Sequence, residues 1–314
     1  MDELASLAES AESIGLSAIF ASHHYNNRDE FLALAAMAEA TDEIRLGPGI
    51  TNPYETHPVT LASRMATLDE LADGRGLFGI GAGDRSTLTN LGYDHDQALA
   101  RVLETMQVAR RLWAGDRLDH DGTFDARSVA LNYDAGEIPI YVGTQGPHMT
   151  QMAATHADGV LYNGSHPRDV RWAADRVEAG LGNRQDGVDT FDFAVYASVS
   201  IAEEANQARE AARPPVAFIA AGAPQPVLSR HGLDKSRAET IGESIAAGDF
   251  STAFDEVTPA MIDVFSIAGT PDDVGERIEQ LLEVADSIVF GSPLGPDQQT
   301  AIELMGEILR SDRV

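Results

Sequence analysis

Apolar positions recur along this chain in two periods, and the periods alternate. Residues 2–15 put Leu4, Leu7, Ala8, Ala11 and Ile14 on one helical face and stop at Gly15. Ser17–Ala21 is a short apolar run that predicts a buried strand. The alternation then predicts helices at 30–41, 58–72, 96–113, 147–157, 168–181, from near Ala202, at 271–284 behind the N-cap Thr270, and at 297–310. Between them it predicts strands at 44–46 (running into Gly47-Pro48-Gly49), 76–80, 138–142, 159–162, 191–201 and 287–290. Two stretches leave the rhythm. Residues 114–137 are rich in Asp and Gly and read as an insertion with a hairpin. Residues 214–265 are broken by Pro214-Pro215, Pro224 and Pro226.

Strands apolar on both faces and alternating with helices argue for a parallel sheet. Seven are counted, near residues 17, 44, 76, 138, 159, 192 and 287, whereas a closed (β/α)8 TIM barrel needs eight. The chain opens inside what the barrel scheme makes its first helix. The first strand is therefore expected to be missing ahead of Met1, or the barrel to be open at that seam. An open doubly wound sheet is the structural alternative. No linker separates 1–314 into parts, so one domain with insertions at about 114–137 and 214–265 is expected.

Composition narrows the function classes. There is no apolar run of the length that crosses a bilayer, and the first residues are acidic rather than basic, so a cytoplasmic protein is expected. With Cys at 0, thiolate nucleophiles and thiolate metal sites are excluded. Lys+Arg at 22 against Asp+Glu at 50 gives −28, and Lys235 is the single lysine. A field of that sign disfavours nucleic acid and anionic membranes as partners. An acidic surface nearly free of lysine is also what proteins working in concentrated salt tend to carry, which predicts a halophilic protein.

In a barrel of this kind the chemistry sits on loops after the strands. Those loops run from Ser22 to Arg28, Gly49 to Tyr54, Gly81 to Arg85, Gly143 to His148, Asn163 to Pro167 and Gly291 to Pro296. Neighbours His23 and His24 leave a strand toward opposite faces and have no third ligand at useful spacing, so no metal site is expected. Gly81-Ala82-Gly83 lacks the full dinucleotide fingerprint. Gly143–Gly146, opening a helix, suits a phosphate but is also an ordinary βα loop. Asp84, at a strand end, is either an acid–base group or a solvated loop acid.

Read together, Leu46–Tyr54 (LGPGITNPY), Ala66–Glu70 (ATLDE), Gly79–Asp84 (GIGAGD) and Pro139–Pro147 (PIYVGTQGP) resemble the luciferase-like flavin and deazaflavin oxidoreductases. The resemblance extends through Val216–Gly222, Arg230–Leu233 and Gly291–Asp297, and so over nearly the whole chain. It is narrowest toward the methylenetetrahydromethanopterin reductases that use coenzyme F420, of haloarchaeal type. It implies a luciferase-like barrel and hydride transfer from the reduced deazaflavin to a 5,10-methylene-tetrahydropterin, with methanopterin or folate as carrier. It implies a cis Gly49–Ile50 peptide forming a bulge behind the deazaflavin ring. His24, Gly49, Ile50, Asn52, Gly143, Gln145, Gly146 and Ser165 are its implied cofactor positions, with Asp84 as the catalytic acid group. Two departures stand out: His23 replaces an aspartate of the family, and the glutamate of the first barrel strand has no counterpart. The resemblance also implies a homodimer or homotetramer. The rival expectation is an FMN- or F420-dependent monooxygenase or dehydrogenase of the same superfamily. A member that only binds a flavin is the non-enzymatic one.

Overall fold

Short strands and longer helices alternate from the N-terminus onward in the computed structural model, which describes residues 1–184 and 190–310. The first elements are α1 (Asp2–Ser13), β1 (Ala18–Ala21), α2 (Glu30–Ala40), β2 (Arg45–Pro48), α3 (Pro58–Leu71) and β3 (Phe78–Gly81). After α4 (Arg85–Asn90) and α5 (Ala98–Trp113) comes the hairpin of β4 (Leu118–Asp121) and β5 (Asp125–Val129), inside the expected insertion. Then follow β6 (Ile140–Thr144), α6 (Pro147–His156), β7 (Gly159–Asn163), α7 (Pro167–Leu181) and β8 (Asp192–Ile201). The last part holds α8 (Ala205–Gly222), α9 (Gln225–His231), α10 (Lys235–Ala246), α11 (Phe250–Asp255), α12 (Pro259–Phe265), β9 (Ile267–Gly269), α13 (Pro271–Leu282), β10 (Ser287–Leu294) and α14 (Gln298–Arg310).

The chain forms two compact units, residues 1–161 with 176–192 and residues 162–175 with 193–314. In the first, β1 pairs with β2 and β3 with β6, both in parallel. Bridges Leu46↔Gly76 and Thr51↔Ile80 run from β2 and its exit to the β3 segment. In the second, β8 pairs in parallel with both β9 and β10. Strand residues such as Leu46, Phe78, Ile80, Ile140 and Val142 are buried, as runs apolar on both faces require.

Two polar devices fix the entry to β2. The Glu12 carboxylate, at the end of α1, accepts the amides of Glu43 at 2.7 Å and Ile44 at 2.8 Å. Those backbone donors hold it below the usual carboxylate range. Arg75 spreads its guanidinium over the carbonyls of Ala38, Thr41, Ile44 and Ala72 and the Thr41 hydroxyl. The C-terminal carbonyls of α2 and the turn into β2 are thereby satisfied by one side chain.

Two expectations are corrected, and two short elements stand where none was predicted. Pro214-Pro215 does not break the chain: α8 runs through both, because Ala208, Ala212, Val216, Ala217 and Ala220 bury one face and outweigh the missing donors. α4 fills residues 85–90, behind the loop expected after β3, where no element was predicted. β9 is a strand of three residues, too short to carry a period. β10 continues through the segment read as a loop after 290, with an irregular register between Gly291 and Leu294 and a cis Ser292–Pro293 peptide.

Candidate active site

Beyond β2 the chain turns at Gly49–Ile50, whose peptide is cis, as the family resemblance implies. The Ile50 side chain is received by glycines from the two neighbouring strands. A Cβ on Gly81 would lie 2.1 Å from Ile50 Cδ1, and one on Gly143 would lie 3.1 Å from three of its carbons. Any side chain at Gly81 would occupy the volume that Ile50 fills. Closer to the core the β2 and β3 backbones themselves nearly touch. A Cβ on Gly79 would stand 1.8 Å from the Pro48 carbonyl oxygen, and one on Gly47 would stand 1.9 Å from that of Leu77.

Asp84 is the N-cap of α4 and not a free loop acid. Its Oδ1 accepts the Thr87 amide at 2.7 Å and the Ser86 hydroxyl at 2.6 Å. Desolvation pushes its carboxyl up. The bonds from Ser86 and Thr87, with a contribution from His24, outweigh that and hold it below the usual range. His24 reaches the same turn, with Nε2 3.2 Å from Thr87 Oγ1, while its Nδ1 meets Asn26 Oδ1 at 2.5 Å. Asn52 completes this side: the Gly83 Cβ position lies 3.2 Å from its Cβ and Cγ. Its Oδ1 accepts the amides of Tyr54 and Glu55, tying the loop after β2 into a turn. His24, Gly49, Ile50, Asn52, Asp84 and Gly143 are therefore brought together.

Gln145 and Gly146 lie at the start of α6. Gly146 is its N-cap with no side-chain hydrogen bond, Pro147 stands at N1, and nothing lies within 4 Å of a Cβ built on Gly146. The first turn thus presents backbone amides to an open approach. Ser165 belongs to the second unit, where it is buried: its hydroxyl donates to the Phe265 carbonyl at 3.1 Å and accepts the Ser198 amide at 3.1 Å. Among the described residues no group of three or more His, Asp or Glu is arranged to hold a metal ion.

One cluster was not anticipated. His23 Nδ1 lies 2.9 Å from Glu30 Oε2, and its Nε2 lies 3.0 Å from Glu55 Oε1. Glu30, at the first position of α2, is 5% exposed and also accepts the Thr51 hydroxyl. Glu55 also accepts the Asn52 amide at 2.9 Å. The bond to Glu30, opposed by burial and reinforced by Glu55, raises His23 to about 9. Burial pushes Glu30 up, but the His23 bond and charge prevail and its pKa is lowered. The sequence carries no signal for it: the burial of Glu30 and the approach of Glu55 arise only when α2 and the β2 exit are side by side.

The exits of the parallel strands of the first unit thus gather a glycine-seated bulge, an acid and open backbone amides. The sequence model of the luciferase-like monooxygenase family matches residues 1–287. The chain is 42% identical over 311 residues to the 5,10-methylenetetrahydromethanopterin reductase of Archaeoglobus fulgidus, covering 97% of this chain and 94% of that protein. It is 40% identical to the protein of the same name from Methanolobus tindarius, again covering 97% of this chain and 94% of the relative. The solved coenzyme F420 dependent tetrahydromethanopterin reductase from Methanopyrus kandleri superposes with a TM-score of 0.91 at 37% identity, covering 98% of this chain and 94% of that one. The chain belongs to the luciferase-like family and, within it, to the group of 5,10-methylenetetrahydromethanopterin reductases. The α/β fold expected from the sequence is the fold found.

Proposed function

We propose that this protein is a coenzyme F420-dependent reductase of one-carbon metabolism that converts a 5,10-methylene-tetrahydropterin to its 5-methyl form. The reading is carried by the likeness to reductases of that name over nearly the whole chain. The residues present fit the cofactor. Ile50, seated between Gly81 and Gly143, offers a rigid apolar surface for a ring, and the uncapped first turn of α6, entered through Gln145–Gly146, suits a phosphate in an otherwise anionic protein. His24 and Asn52 supply polar contacts beside that surface. When bound, the reduced deazaflavin supplies the hydride.

The chain's own part is binding, orientation and charge. Opening the methylene bridge of the pterin leaves a cationic nitrogen–carbon centre, and a carboxylate beside it lowers the barrier by opposing that charge. Asp84 is the candidate. Its hydrogen bonds keep it ionised, which suits a charge stabiliser and disfavours a proton donor. Titration with oxidised F420, followed by its fluorescence, is expected to saturate, and FMN is expected to compete poorly. Tight co-purifying FMN with no F420 binding would refute the cofactor assignment.

The protein is further proposed to act in the cytoplasm, as a homodimer or homotetramer, and to require salt. No described helix is long and apolar enough to cross a membrane. At −28 the chain repels itself. That repulsion reaches about 30 Å at 0.01 M salt and only about 3 Å at 1 M. The melting temperature is therefore expected to rise between about 0.1 and about 2 M KCl. A flat or falling profile would refute the salt requirement.

A further inference from the structure

His23 lies at the exit of β1, Glu30 at the first position of α2 and Glu55 in the loop between β2 and α3. Each ring nitrogen of His23 is within hydrogen-bond distance of a carboxylate. A neutral imidazole has one N–H and one bare lone pair, so it would turn a lone pair against one of the two carboxylates. Only the imidazolium donates to both. The second oxygen of Glu30 takes the Thr51 hydroxyl, and the bonded oxygen of Glu55 also takes the Asn52 amide. Thr51 is 1% and Asn52 4% exposed, and both follow directly on Ile50. The ring therefore joins α2 to the loop that carries the bulge residue and Asn52.

We propose that His23 is a positioning residue: as an imidazolium bridging Glu30 and Glu55, it fastens the Thr51–Glu55 loop to α2 and so sets Ile50 and Asn52 for the deazaflavin. The proposal rests on the assignment of that cofactor to this site. An aspartate at position 23 would confront both carboxylates with a third negative charge. Here the cation comes from the chain's own histidine. Glu30 from α2 and Glu55 from the β2–α3 loop are the charged groups acting on the ring; Thr51 and Asn52 are neutral.

The proposal predicts a dependence on pH with a definite sign. A histidine raised to about 9 in the folded state contributes fully below its unfolded value near 6.5. That contribution is lost as pH rises through about 9. At fixed ionic strength, F420 affinity measured by fluorescence titration is expected to fall roughly tenfold from neutral pH to beyond that step. Histidine NMR resonances should place the His23 titration at the same pH without cofactor or turnover.

His23→Gln is uncharged and carries its donors on a single nitrogen, so it cannot bridge the two carboxylates as the ring does; it should weaken F420 binding roughly tenfold at neutral pH and abolish the step. Glu55→Gln keeps the histidine but removes one of its two carboxylates, so both the NMR titration and the binding step should move to lower pH together. This variant carries the test if His23→Gln does not fold. F420 binding that is flat through pH 9, or an NMR titration near 6.5 in the native protein, would overturn the proposal and leave the cofactor assignment intact. No F420 binding at any pH would overturn the cofactor assignment instead, while the NMR titration would still read the His23 bridge.

Discussion

Gly79→Ala is expected to remove the folded state, at a cost of more than about 4 kcal/mol. The reason is contact with backbone. The added carbon would sit 1.8 Å from the Pro48 carbonyl oxygen, far inside van der Waals contact, and that carbonyl belongs to β2. No rotamer change relieves the overlap, so β2 and β3 would have to separate. Separation breaks the neighbouring bonds of the Thr51 amide to the Gly79 carbonyl at 3.1 Å and the Leu77 amide to the Leu46 carbonyl at 2.8 Å. It would also leave buried polar groups without partners. Gly146→Ala is the matched control. Its φ is −94° and its Cβ position is open, so a change within about 1 kcal/mol is expected. Urea denaturation of both variants reads the contrast, and a Gly79→Ala protein with wild-type stability would mean that the β2–β3 approach is wrong.

Asp84→Asn should lower kcat/KM roughly 10²-fold while leaving stability nearly unchanged. Asparagine is as good an N-cap as aspartate, so the bond from the Thr87 amide and the start of α4 survive the exchange. What is lost is the negative charge that the proposed mechanism sets beside the reacting pterin. The wild-type rate should also keep its acid limb below the ordinary carboxylate range near about 3.9, because the Ser86 and Thr87 bonds stabilise the ionised form. The sign follows from a depressed pKa: the charge is present above that range and is lost only as pH falls through the lowered value. Unchanged kinetics in Asp84→Asn would reduce Asp84 to a helix cap. A loss of activity matched by an equal loss of folded protein would do the same.

Much of the architecture was legible because burial leaves a period. α5 buries Val102, Met106, Ala109 and Trp113 at helical spacing, and β3 and β6 are apolar runs between glycines. The elements that were misread are those where tertiary packing overrides local signal. α8 carries two prolines because its buried face packs against α10, α11 and α12, and β9 is held by pairing with β8 over only three residues. The site divides in the same way. Gly49, Ile50, Asn52 and Gly143 were found through a resemblance that runs along the chain; the structure packs Ile50 against Gly143, with Gly49 and Asn52 beside it in the chain. Asp84 was found as an acid but not as a helix cap, because α4 is six residues long and has no period to read. The His23 bridge was beyond the sequence altogether. Its three charges come from three segments, and only folding makes Glu55, distant in the chain, a partner of His23.

Reduced F420 mixed with the protein and 5,10-methylene-tetrahydromethanopterin measures the central claim directly. Recovery of the deazaflavin absorbance should follow substrate addition, in proportion to the 5-methyl product formed, at high salt and without added flavin. The tetrahydrofolate analogue, run in parallel, identifies the carrier. Absence of cofactor oxidation with either pterin, in a folded protein that binds FMN instead, would contradict the account.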